Sequence, residues 1–151
     1  MKNESFKLSF NNYEVIKANL QKNMNIDNLK DSSDIGFLLK IVPNKDKNFD
    51  KVNIILGVKI SPSMSFNYLI ETILKGNFVL INCQSDEERI GLLKVNATAI
   101  LFPYIRSFVS MLTSQLEGEQ ILLPVMNIFE LVKDIPKNEL ILKSSNFEKF
   151  E

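Results

Sequence analysis

The chain has 151 residues, with 18 basic and 18 acidic side chains, no histidine and one cysteine. Zero net charge gives no support for nucleic-acid binding, where a basic face is expected, and a hydrophobic fraction of 45% with eleven phenylalanines argues against global disorder. The lone Cys83 excludes an intrachain disulfide framework or a cysteine zinc site, and the lack of histidine removes imidazole acid–base chemistry, triads and histidine metal sites.

The length suits a single domain, 1–151. Residues 1–10 lack the apolar core of a signal peptide. No run reaches the roughly 18 apolar residues of a membrane span. The expectation is a cytoplasmic protein without membrane insertion.

Tyr13 to Leu20 alternates, which predicts a first strand with Ile16, Ala18 and Leu20 inward and Tyr13, Val15 and Lys17 outward. Lys22 to Asp34, rich in Asn, Asp, Lys and Ser, reads as a loop. Gly36 to Val42 predicts a second strand with Phe37, Leu39 and Ile41 on one face, followed by the charged turn Pro43 to Asp50. Lys51 to Ser61 is the clearest strand, with Val52, Ile54, Leu56, Val58 and Ile60 alternating against polar and small residues. Phe66 to Ile81 predicts a long fourth strand, with a bulge or bend at Gly76-Asn77. Strands that precede the helices give an α+β class: a four-stranded antiparallel β-meander, then a long helix and a shorter C-terminal one.

Ser85-Asp86-Glu87-Glu88 is a capping box that opens a helix, and Ile90, Leu93, Ala97 and Leu101 carry its apolar stripe toward Pro103. Pro103 predicts a helix start or a kink. Beyond it, Leu101, Ile105, Phe108 and Leu112 form one stripe, and Ile100, Tyr104 and Met111 a neighbouring one. That surface is wider than one sheet needs, so Leu101, Ile105, Phe108 and Leu112 are expected to help bury the helix between subunits of a homo-oligomer. Gly118 breaks the helix, and Ile121 to Met126 follows, too apolar for an ordinary exposed loop. Asn127 to Lys133 predicts the second helix, with Ile128, Phe129, Leu131 and Val132 apolar. Ile135-Pro136 ends it, and the tail 137–151 adds a short strand or packs loosely.

Ile100-Leu101-Phe102-Pro103-Tyr104-Ile105-Arg106, and then Leu122-Leu123-Pro124-Val125-Met126-Asn127-Ile128-Phe129 about fifteen residues on, resembles the export chaperone family SecB. The detailed match covers about a quarter of the chain. The resemblance implies a four-stranded sheet with the long helix on one face, assembly as a dimer of dimers, and hydrophobic grooves for unfolded polypeptide. It also implies a possible partner, the translocase motor ATPase. Members that serve the motor usually carry an acidic tail, whereas this tail, NFEKFE, is mixed.

No glycine motif for phosphates or dinucleotides occurs, and Asp86, Glu87 and Glu88 are most simply a helix N-terminus favoured by its dipole. No enzyme and no cofactor is expected. Aromatic and methionine side chains suit a site that must accept many shapes. For any one aromatic, a place in the core is the commoner outcome. Unfolded polypeptide is expected against Phe37, Phe78, Tyr104, Leu122, Leu123 and Met126. Two roles follow: a general holdase, with or without export, or a dedicated protein for one partner, such as an antitoxin in a toxin–antitoxin system.

Overall fold

A computed structural model describes residues 7–25, 27–44, 49–116, 121, 123 and 127–141. Four strands form one antiparallel sheet: β1 (Lys7–Lys22), β2 (Ile35–Pro43), β3 (Lys51–Ile60) and β4 (Tyr68–Ile81). β2, β3 and β4 follow one another as a meander, and β1 closes beside β4, giving the Greek-key order β1-β4-β3-β2. The helical layer follows: α1 (Asp86–Leu92), a π-helical turn (Leu93–Ala97), α2 (Thr98–Thr113), α3 (Ile128–Val132) and α4 (Lys137–Leu140).

β3 lies between β4 and β2, and its predicted inward residues Val52, Ile54, Leu56, Val58 and Ile60 are all buried. β4 continues the same face with Ile70, Leu74, Phe78 and Leu80. Against this face lie Ile90, Leu93, Ala97, Leu101, Phe102, Ile105 and Val109; the expected stripe holds as far as Ile105, after which Val109 is buried and Phe108 and Leu112 are only part-buried. The continuous helix Asp86–Thr113 has 28 residues. By length and composition it could cross a membrane, but its core side is packed on the sheet.

Ser85 caps α1: its Oγ accepts from the Glu88 N–H at 3.2 Å, and Glu88 accepts from the Gln84 N–H at 3.0 Å. Arg89 ties this helix start to the strands below. Its guanidinium donates to Asp50 at 3.0 Å, to Asp86 at 3.1 Å and to the Cys83 carbonyl at 2.9 Å.

Three local expectations change. Pro103 lies inside the helix, on its exposed side, so of the two readings, a helix start or a kink, the start is the one that fails. Gly76-Asn77 carries no bulge, because β4 keeps unbroken register with β3. Gly76 is required by close approach: a Cβ there would lie 2.8 Å from the Phe78 ring and 3.3 Å from Leu101. The irregularities fall on β1, at Phe10/Asn12 and Val15/Lys17, where Asn11 and Ile16 have no partner on β4. Each extra residue reverses the alternation. Tyr13 and Val15 therefore share the helix-side face with Phe10, Ala18 and Leu20, and Ile16 is a bulge residue rather than a regular inward one.

Candidate functional site

The helix does not cover the whole sheet. Its buried side lies over β3 and β4, while β1, at the sheet edge, keeps Tyr13 and Val15 exposed on the helix side. The outward side of α2 adds Ile100, Tyr104 at 41% exposure and Met111 at 52%. An aromatic chain joins this surface to the core. Phe10 lies 5.1 Å from buried Phe78 and 5.7 Å from Tyr104, and Tyr104 lies 4.8 Å from Tyr13. Five large apolar side chains thus stand open along α2 and β1. Sequence alternation hides two of them, Tyr13 and Val15, because the bulge that turns them toward the helix leaves no residue signature.

On the other flank of α2, toward β2, Phe37 lies 6.2 Å from Phe102. After α2 the chain doubles back along it. The Ile121 N–H donates to Thr113 Oγ1 at 2.7 Å, Arg106 Nε donates to the Leu123 carbonyl at 2.6 Å, and α3 then packs against the π-helical turn. Lys94, in that turn, donates to the Lys133 and Ile135 carbonyls at 3.2 and 2.9 Å, closing the end of α3. Asn127 caps the start of α3 by accepting from the Glu130 N–H at 3.4 Å. This strap presents Phe129 outward with 56% of its surface exposed.

The sequence-selected residues separate. Phe78 and Leu123 are buried in the core, with almost no surface for a ligand. Phe37 is half-buried and Tyr104 exposed, on opposite flanks of α2. Leu122 and Met126 lie outside the described residues. Of the expected subunit contacts, Leu101 and Ile105 are fully covered by the chain's own sheet, which leaves them nothing to give a second copy. Phe108 and Leu112 keep part of their surface. The outward strip is carried instead by Ile100, Tyr104 and Met111, one step round the helix. Phe129 belongs with the exposed set and was legible only as one apolar position of a short helix.

Titratable groups add little chemistry here. Burial pushes the Cys83 thiol up, and the Glu88 carboxylate adds to it, so the side chain stays a protonated, weakly reactive filler. Among the described residues, no three histidine, cysteine or carboxylate side chains gather as a metal site.

No family model matches the chain. An uncharacterized protein of Methanocaldococcus jannaschii is 26% identical over 137 residues, covering 87% of this chain and 76% of that protein. Among solved structures, a SecB-like chaperone of Mycobacterium tuberculosis, in complex with a ChAD peptide from the HigA1 antitoxin, superposes with a TM-score of 0.61. The match covers 79% of this chain and 90% of that one, at 12% identity. The fold is SecB-like. A Streptococcus agalactiae protein of unknown function also matches, with a TM-score of 0.45, 14% identity, and coverage of 80% of this chain and 99% of that one. At these identities the SecB-like likeness concerns the fold. Function must be argued from the surfaces described above.

Proposed function

We propose that this chain is a polypeptide-holding chaperone, which binds unfolded or partly folded clients on exposed apolar side chains and works as a homo-oligomer. The observation that carries the proposal is the apolar surface left open on both flanks of α2. It comprises Tyr13, Val15, Ile100, Tyr104 and Met111 on the β1 side, and Phe129 with half-buried Phe37 on the β2 side. Exposed apolar surface of this kind marks an interaction site.

The two flanks suit different occupants. The β1-side strip lies on a regular helix and an adjoining strand edge, a rigid surface that a second copy can match by symmetry. We assign it to subunit contact, in a dimer or dimer of dimers. The β2-side flank combines a hydrogen-bonded strap with an outward aromatic ring. Such a surface suits a chain that offers apolar side chains in no fixed order. We assign it to clients.

Light scattering and aggregation assays test the two assignments. The wild-type protein is expected at a multiple of its 17.3 kDa chain mass. It should suppress aggregation of two unrelated denatured proteins. Tyr104→Asp with Met111→Asp should yield monomers, by placing charge on the subunit strip. A wild-type monomer overturns the assembly assignment, and absence of suppression overturns the holding role.

A second reading is favoured by the solved SecB-like chaperone, which is seen with an antitoxin peptide. This chain would then serve one dedicated partner. Binding of a single peptide, with no suppression of unrelated clients, selects that reading. Delivery of clients to a translocase motor ATPase is a further step of the first reading, and co-purification with the motor tests it.

A further inference from the structure

The sheet face turned away from the helices carries chemistry that neither surface above uses. Alternation and register place Lys7, Lys17, Lys51, Lys59 and Lys75 on it, against Glu14 and Glu71; Lys40 starts from it too, but its ammonium donates to the Glu139 carbonyl of α4. Both glutamates are engaged: Lys17 pairs with Glu71, and Lys75 with Glu14 at 3.7 Å. The chain as a whole has no net charge. This face is therefore cationic, with its counterbalancing carboxylates elsewhere. Its central apolar residues are sheltered, while Ile81, opposite Lys7 at one end, is 45% exposed. Ile55, flanked in register by Lys40 and Lys75, has no exposed surface, as expected where lysine stems lie along apolar groups.

At the end of this face nearest the β2–β3 connection lies an open trough of about 390 Å3. Lys51 borders it, exposed and without an ion pair among the described residues. Asn11, Asn44, Asn53 and Asn77 supply its amides, and Val42 and Val79 its apolar lining. Asn53, Asn77 and Asn12 stand opposite one another across three strands, and Asn77 Nδ2 donates to Asn12 Oδ1. Asparagine is disfavoured in strands, so propensity does not account for this row. A side-chain amide offers one acceptor and two donors, the same kinds of group as a peptide unit. A row of them can pair with a passing main chain whatever its side chains.

We propose that this trough is a second polypeptide site, for an extended acidic segment. The main chain would lie against the asparagine amides, with a carboxylate on the Lys51 ammonium. Charge decides the occupant: a cationic face favours carboxylate-bearing segments and repels basic ones.

The test is fluorescence anisotropy with a labelled Glu/Ser decapeptide and its Lys/Ser counterpart. The acidic peptide should bind, more weakly as salt rises, and the basic one should not. Lys51→Glu should weaken binding by roughly tenfold or more. Lys59→Glu changes the net charge equally but sits about 26 Å along β3, so it should leave binding within about twofold. Both lysines are exposed, and unchanged melting curves verify the fold of each variant. Phe129→Ser, on the client flank, should leave this binding intact, which separates the two sites. Equal binding of both peptides overturns the proposal, as does an equal loss from Lys59→Glu. Displacement of the peptide by a lower concentration of single-stranded oligonucleotide also overturns it, by showing that the trough prefers phosphate.

Discussion

Leu123→Ser and Phe129→Ser form a matched pair, because both remove an apolar side chain from the strap behind α2 but differ in burial. Leu123 has no exposed surface and belongs to the core cluster. Truncating a buried leucine costs about 2–5 kcal/mol, and a serine hydroxyl left without a partner adds about 1–3 kcal/mol. The bond from Arg106 reaches the Leu123 carbonyl, so it survives the substitution and offsets none of this. A loss of about 4 kcal/mol is expected, which for a chain of this length lowers Tm by roughly 8–16 °C. Phe129 is 56% exposed on a helix of five residues, so its replacement should cost under about 1 kcal/mol. Urea melts at one fixed protein concentration, needed because assembly couples to stability, measure the first quantity. Suppression of aggregation of a denatured client measures the second, with a loss of roughly tenfold in apparent affinity, about 1.4 kcal/mol, expected for Phe129→Ser alone. If Leu123→Ser melts like the wild type, the packing of the strap is wrong. If Phe129→Ser suppresses aggregation undiminished, clients lie elsewhere.

Two stability predictions accompany it. Pro103 is exposed inside a helix, where a proline removes a hydrogen bond and crowds the preceding turn at about 3 kcal/mol. Pro103→Ala should therefore raise the unfolding free energy by about 1 kcal/mol or more, and a lower denaturation midpoint would show that the ring itself packs usefully. Gly76→Ala should destabilise by about 1–3 kcal/mol through overpacking, since its Cβ would meet the Phe78 ring at 2.8 Å. Gly91→Ala, in the open on α1, should gain about 0.8–1 kcal/mol from helix propensity. Shifts of the same sign in melting experiments would refute this contrast.

Where one residue pattern has one physical cause, the sequence was legible. β3 is covered on its helix side along its whole length, so its alternation reads directly as Val52 through Ile60. The Ser85 capping box depends only on local spacing, and it forms. Register is a property of two strands, and this is where single-strand reasoning failed. Nothing in Asn11 or Ile16 announces that β4 offers them no partner. The same holds for Gly76, whose need arises from Phe78 and Leu101 above it. On α2 the apolar stripes were visible, but which one meets the chain's own sheet is a matter of helix rotation. The core took Leu101 and Ile105 and left Ile100, Tyr104 and Met111 outside. For Leu123, apolarity could not separate a ligand contact from an anchor. Burial does.

The two bulges in β1 also determine where this chain can change length. In a regular strand, losing one residue flips every side chain on one side of the cut. Asn11 and Ile16 are the exceptions, because each is the unpaired extra residue of its bulge. Deleting either would restore plain alternation while Leu8, Phe10, Tyr13, Val15, Ala18 and Leu20 all kept their present face. Chains sharing this fold are therefore expected to show one-residue gaps at these two positions of their first strand, and to resist them elsewhere along it. An alignment forced through β1 without such gaps would pair inward residues with outward ones and understate the similarity of the chains.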